Sequence, residues 1–150
     1  MATVFSHFGI CVSDLDRSVR FYCEGLGFER AESHSVGEEF DRLVEIDGVR
    51  LRSQFVRTDG VALELLHFDA PGQSGDARRR ALNQLGLTHL SVRVDDIDEV
   101  ATLIESLGGS LIPETRTTFD LGESTLDFVY CTDPDGVRVE LMKVPAFPGD

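Results

Sequence analysis

Positive charge is scarce in this 150-residue chain: 14 Lys and Arg stand against 27 Asp and Glu, a formal net charge of −13 at pH 7. Such a surface repels phosphate backbones and anionic headgroups, which argues against nucleic acid and membrane surfaces as partners. It suits a metal cation or a cationic ligand. No apolar run approaches the roughly 18 residues of a membrane-spanning helix. The N-terminal Met1-Ala2-Thr3-Val4-Phe5 has no basic segment leading into an apolar stretch, so no signal peptide is expected. Only three cysteines occur, Cys11, Cys23 and Cys131, without Cys-x-x-Cys spacing. An odd, unpatterned set reads as reduced thiols in a cytoplasmic protein. The loop stretch Asp69 to Gly86 has no glycine-rich phosphate cradle, which removes the usual basis for a nucleotide site there.

The hydrophobic fraction is 41%, enough for a folded core. Val61-Ala62-Leu63-Glu64-Leu65-Leu66 is echoed by Val137-Arg138-Val139-Glu140-Leu141-Met142, the two glutamates 76 residues apart. Each carboxylate sits in an apolar, strand-like run and points away from its neighbours on either side. Taken singly, each reads as a solvent-facing residue on a half-exposed strand. A second repeat supplies partners. Ser6-His7-Phe8-Gly9-Ile10-Cys11-Val12-Ser13-Asp14-Leu15-Asp16 aligns with Thr88-His89-Leu90-Ser91-Val92-Arg93-Val94-Asp95-Asp96-Ile97-Asp98, the histidines 82 residues apart. Each half therefore contributes one imidazole and one carboxylate, a donor set that suits a divalent transition metal.

The order of elements repeats as well. Alternation over Phe5 to Val12 predicts a strand with His7, Gly9 and Cys11 on one face. Asp14 caps a helix running from Leu15 to about Leu26, with Leu15, Val19, Tyr22 and Leu26 at helical spacing. A second strand is expected within Val36 to Ile46, a third at Val49 to Arg57 after the Asp47-Gly48 turn, and a fourth at Val61 to Phe68. Asp76 to Leu85, with Arg78, Arg79 and Arg80, reads as a short basic helix in a linker, whose arginines offset nearby acid in preference to binding an anion. In the second half Leu87 to Val94 is a strand carrying His89, Ser91 and Arg93 on one face. Asp96 and Glu99 are placed as a capping-box variant at the start of a helix over Ile97 to about Leu107. Ser110 to Pro113 is a short strand, Glu114 to Gly122 a loop and Ser124 to Cys131 a strand. Asp133-Pro134-Asp135-Gly136 is a turn, Val137 to Val144 the last strand and Pro145 to Asp150 a tail. The fold class is α+β, two β-α-β-β-β modules. The chain reads as a single domain over 1–150, with module 4–69 and module 87–144 joined by linker 70–86. Phe55, Phe119, Phe128 and Tyr130 are expected in the core.

The paired modules, the strand histidines, the Leu-Gly after each first helix and the closing Asp-Pro-Asp-Gly-x-x-x-Glu-Leu resemble the vicinal oxygen chelate superfamily over about Ser6 to Met142. That group includes glyoxalase I, methylmalonyl-CoA epimerase, extradiol dioxygenases, and fosfomycin and bleomycin resistance proteins. The resemblance implies curved sheets around a metal cleft with His7, Glu64, His89 and Glu140 as ligands. It also implies one divalent ion per site (Ni, Co, Zn, Mn or Fe), a small-molecule substrate and a homodimer. By the same resemblance Glu140 is the first choice for the base that moves a proton at carbon, with Glu64 its counterpart. Arg93, sharing the His89 face, either holds a substrate carboxylate or answers a buried aspartate.

The two-His, two-Glu set is similar to bacterial glyoxalase I, whereas Gly86 to Asp98 looks like methylmalonyl-CoA epimerases. Cys11 stands where the glyoxalases often carry arginine, and Glu64 where the epimerases usually carry glutamine. Glutathione and acyl-CoA therefore both stay open. Both families share proton transfer beside a metal-chelated carbonyl, a lyase or isomerase reaction, and this is the expected function. Two alternatives come with the superfamily: a ring-cleaving dioxygenase, against which a fourth ligand at Glu64 argues, and a drug-binding resistance protein without turnover.

Overall fold

The computed structural model describes residues 2–145, so the expected tail beyond Pro145 lies outside the described residues. The chain divides into two compact units, residues 1–76 and 77–150. In the first, β1 (Phe8–Cys11) leads through α1 (Leu15–Arg20), extended by a π-helical turn (Phe21–Gly25), to β2 (Glu29–Val36). A 3-10 turn (Glu38–Phe40) and α2 (Asp41–Val44) follow, then β3 (Arg50–Thr58) and β4 (Val61–Ala70). In the second, β5 (Leu90–Arg93), α3 (Ile97–Ser106), β6 (Ser110–Asp120), β7 (Thr125–Thr132) and β8 (Arg138–Lys143) follow the same order. Each unit holds a four-stranded mixed sheet, β1-β4-β3-β2 in one and β5-β8-β7-β6 in the other. The expected α+β class and the doubled β-α-β-β-β order both hold.

Helix starts follow their caps. The Asp14 carboxylate accepts from Arg17 N at 2.9 Å, and Asp96 Oδ1 accepts from Asp98 N and Glu99 N at 2.9 and 3.0 Å. Each helix lies on one face of its own sheet. Val19 and Tyr22 are buried in the first unit together with Val56, Leu63 and Leu65 of β3 and β4. Ile97, Ala101 and Ile104 are buried in the second, with Val129, Cys131, Val139 and Leu141 of β7 and β8. Burial pushes the Cys131 thiol up to about 12, consistent with an inert core residue.

Three local expectations are corrected. The second strand is Glu29–Val36, not within Val36 to Ile46. In the latter stretch Asp41 accepts from Gly48 N and Val49 N at 2.8 and 2.9 Å, and the charged, exposed sequence closes as short helical turns. Residues 114–120 belong to the long strand β6 instead of a loop. Both misjudged strands are sheet edges, where solvent on several sides erases the apolar alternation that marks inner strands. Both also slip register, between Arg30 and Ser33 and between Ile112 and Thr117. Finally, residues 77–85 form no helix. They are exposed throughout, and a short helix without an apolar face to bury is marginal in water.

The Asp133-Pro134-Asp135-Gly136 turn is built as its sequence suggests. Buried Asp133 accepts from Asp135 N and Val137 N at 2.9 and 2.8 Å. Gly136 has φ +86°, and a Cβ there would lie 2.4 Å from Ala77 O, so the turn is pressed against the chain at residue 77. Gly136→Ala is expected to destabilise the fold by about 2 kcal/mol or more, combining left-handed strain with a backbone clash. A denaturation midpoint unchanged from wild type would contradict this packing.

One exposed arginine ties three elements of the second unit. Arg116 on β6 donates through Nε to Asp127 Oδ1 on β7 at 3.0 Å and through Nη1 to Asp98 of α3 at 2.5 Å. The guanidinium holds the Asp127 carboxyl below the usual range. A depressed folded-state value means this stability is present above the unfolded carboxylate range, about pH 4, and is lost as pH falls through the folded one. Wild-type acid unfolding is therefore expected to be steeper below about pH 4 than that of Arg116→Ala, with a neutral-pH cost of only about 1 kcal/mol in the variant. Parallel acid profiles would refute the coupling.

Candidate metal and acid-base site

Each unit carries a histidine immediately before its first strand, His7 before β1 and His89 before β5. The first strand then runs parallel to the last strand of the same unit. Gly9 lies opposite Glu64 and Ser91 opposite Glu140. Facing strand residues share a side of the sheet, and so do positions two apart. The register therefore turns each glutamate towards its histidine. His7 Nε2 is 3.2 Å from Glu64 Oε2, and His89 Nε2 is 3.7 Å from Glu140 Oε2. All four side chains are half-buried.

Both imidazoles are held in the same way. His7 Nδ1 is 2.8 Å from Ser6 Oγ, and His89 Nδ1 is 2.9 Å from Thr88 Oγ1. The hydroxyl occupies one ring nitrogen and leaves Nε2 for the carboxylate side, the arrangement that orients a metal-binding histidine. Across the sheet, Phe55 pairs with Glu64 and Tyr130 with Glu140. His7 packs edge-on against Phe55 at 5.0 Å and His89 against Tyr130 at 5.4 Å between ring centroids. A guanidinium covers each aromatic ring in turn: Arg57 lies 5.8 Å from the Phe55 centroid and Arg138 4.9 Å from that of Tyr130. Arg57 is also ion-paired with Glu32. Arg138 is buried, donates to Arg80 O at 2.8 Å and keeps its Nε without a hydrogen-bond partner.

Phe55, Phe128 and Tyr130 are half-buried and Phe119 is 53% exposed, so these rings do not fill the core as expected. Their alternation places them on the glutamate face of each sheet, away from the helix. In the second unit Thr115, Thr117, Phe119, Phe128, Val129, Tyr130 and Glu140 line a mainly apolar cleft of about 310 Å³. Burial and, after it, the nearby Glu140 charge raise the Tyr130 phenol above its ordinary value, keeping its proton at neutral pH. Arg93 is exposed, on the Ser91 side of β5 and opposite Met142.

His7 is thus brought together with Glu64, and His89 with Glu140. Among the described residues no group of three or more His, Cys, Asp or Glu side chains is gathered for a metal. The donor chemistry of each pair nevertheless fits one: a neutral imidazole nitrogen beside a carboxylate, with the other ring nitrogen fixed by a hydroxyl. Ser91, whose hydroxyl donates to Glu140 Oε2 at 2.8 Å, and the covering arginines were not singled out by sequence reasoning. Ser91 was visible on the His89 face; nothing in the repeat pointed to Arg138, because its equivalent in the first unit is Ala62.

With this geometry in view, the sequence profile of the Glyoxalase/Bleomycin resistance protein/Dioxygenase superfamily matches residues 4–141, and the chain belongs to that superfamily. Similar proteins include a 2-epi-5-epi-valiolone epimerase from Actinomyces sp., 29% identical over 97% of this chain and 81% of that protein. A probable lactoylglutathione lyase from Vibrio parahaemolyticus is 26% identical over 91% of this chain and 88% of that protein. Among solved structures, a glyoxalase family protein from Bacillus cereus superposes with a TM-score of 0.81 at 21% identity, covering 97% of both chains. The fosfomycin resistance protein FosX from Listeria monocytogenes, solved with Mn(II), gives 0.58 at 20% identity over 97% of this chain and 95% of that one. Such identities establish the fold. Two of these relatives bear enzyme names, an epimerase and a probable lyase.

If the Thr88 hydroxyl fixes the His89 ring for a metal, Thr88→Val is expected to weaken Co(II) binding about tenfold, the usual scale for losing a ligand's supporting hydrogen bond. The metal-free melting temperature should move little, since the site is on the surface side of the strand. Calorimetric titration that finds equal affinity in variant and wild type would show that the contact does not orient a ligand.

Proposed function

We propose that the chain is a divalent-metal-dependent enzyme that moves a proton at the carbon next to a carbonyl of a small substrate, a lyase or isomerase reaction of glyoxalase I-like or epimerase-like type. The observation that carries this reading is the doubled His–Glu pair with each imidazole fixed by a hydroxyl and an aromatic edge. His7, Glu64, His89 and Glu140 are assigned as the four ligands of one ion (Ni, Co, Zn, Mn or Fe), which requires the two pairs to meet within one chain or across a homodimer. Bound there, the ion supplies Lewis-acid polarisation of the substrate carbonyl.

The protein's own groups do the rest. Glu140 and Glu64 are the carboxylates placed to take a proton from carbon and return it. The apolar cleft beside Glu140 receives the body of the substrate and excludes water from it. Arg93, exposed on the Ser91 face, is assigned to a negatively charged substrate group. An epimerase and a probable lactoylglutathione lyase among the relatives, and FosX with its Mn(II), agree with this chemistry. We further propose that the protein works as a homodimer in the cytoplasm, where its cysteines stay reduced.

The test is metal analysis of the purified protein followed by proton NMR in deuterium oxide with hydroxyacetone, 2-hydroxycyclohexanone, and the hemithioacetal of methylglyoxal with glutathione. Wild type is expected to bind about one ion per site and to exchange the hydrogen beside the carbonyl of at least one probe. A chelator should abolish exchange, and His89→Ala should lose both metal and exchange while staying folded. Exchange that survives removal of the metal, or oxygen consumption with catechols in its place, would contradict the proposal.

A further inference from the structure

The two halves of the site are not equivalent, and the difference lies in the residues that flank each glutamate across the sheet. Glu140 stands between Ser91 on β5 and Tyr130 on β7. Glu64, at the same place in the first unit, stands between Gly9 and Phe55. One glutamate therefore has a hydroxyl-bearing residue on each side and the other has none. Ser91 Oγ donates to Glu140 Oε2 at 2.8 Å; the same Oγ lies 3.1 Å from Met142 Sδ, but a hydroxyl has one proton and a carboxylate is much the stronger acceptor. Opposite Glu64, the space a serine would need is partly taken by Leu66, whose Cδ1 lies 3.2 Å from an ideal Cβ at Gly9.

Resting on the metal-site reading above, we infer that Ser91, with Tyr130 beside it, is a positioning residue that makes Glu140 the fixed ligand and leaves Glu64 the mobile carboxylate of the pair. A ligand with a second hydrogen bond must break it in order to leave its position. A base that reaches for a substrate carbon must move. Glu64, flanked by a glycine and a phenyl ring, can swing without breaking such a bond. In the reaction, a Glu64 oxygen takes the proton from the carbon, the C–H electron pair passes into the adjoining carbonyl, and the proton then returns to carbon. No electrons leave the substrate and no further reactant is consumed. This gives the proton-moving role to Glu64, where resemblance alone puts Glu140 first.

The experiment measures Co(II) affinity by calorimetry and exchange of 2-hydroxycyclohexanone in deuterium oxide for one set of variants. Glu64→Gln is expected to keep Co(II) affinity within about fivefold and to lose exchange by about 100-fold or more, unrescued by excess Co(II). Glu140→Gln should lose affinity by about 100-fold and regain exchange when Co(II) is raised. Ser91→Gly should weaken Co(II) about tenfold, with Ser91→Thr restoring it. Gly9→Ser, which offers Glu64 the hydroxyl it lacks at the cost of a small shift of Leu66, should slow exchange while holding Co(II) at least as tightly. The reverse pattern in the two glutamine variants, or a Ser91→Gly protein with wild-type Co(II) affinity, overturns the assignment and leaves the metal-site reading standing. A wild-type protein that binds no Co(II) overturns both.

Discussion

Everything at this site depends on one strand pairing in each unit: the first strand running parallel to the last. Parallel neighbours cannot be joined by a tight turn, so the chain must cross over between them. Here α1, β2 and β3 make that crossing in one unit, and α3, β6 and β7 in the other. The pairing sets Gly9 against Glu64 and Ser91 against Glu140, and so brings His7 within reach of Glu64 and His89 within reach of Glu140, each pair more than fifty positions apart in sequence. A slip of one residue would turn the glutamates to the helix side, among Leu63, Leu65, Val139 and Leu141, where an unpaired carboxylate is costly. The buried leucines and valines that flank each glutamate thus enforce the register that joins it to its histidine.

On this shared frame the two units have different surroundings. Both give their histidine a hydroxyl and an aromatic edge, and both cover that aromatic ring with a guanidinium. They reach that likeness by different routes, since Arg57 comes from the third strand of its unit and Arg138 from the last. They differ in the residues that flank each glutamate, where the proposed reaction moves a proton. A symmetric pair of carboxylates would compete for one task, whereas unequal hydrogen bonding separates a holding group from a moving one. Separate environments for like groups are a general way of dividing labour between them.

The two His–Glu pairs were more legible in the sequence than the sheet edges were. The repeated Val-x-x-Glu-Leu patterns sit on the inner strands β4 and β8, where burial of one face forces alternation, while the hydroxyl-His pairs, just before the edge strands β1 and β5, stand out through their repetition; the structure joins each histidine to the glutamate of its own half. β2 and β6 are edge strands with solvent on their free side, so Glu29 to Val36 and Glu114 to Asp120 carry mostly polar residues and read as connections. Phe55 and Tyr130 were misjudged for a related reason. An aromatic residue on a strand fits the core by composition, and only the register shows that it faces a histidine and a glutamate. Arg138 could not be found from the repeat, because it stands where the pattern breaks.

The measurement that bears most directly on this site is anomalous diffraction at the cobalt edge from crystals of the Co(II)-loaded protein. One ion per site is expected, bound by His7 Nε2, His89 Nε2 and one carboxylate oxygen each of Glu64 and Glu140, at about 2.0–2.2 Å. Two separate ions, each on a single His–Glu pair, or a cobalt peak away from any of the four residues, would contradict it.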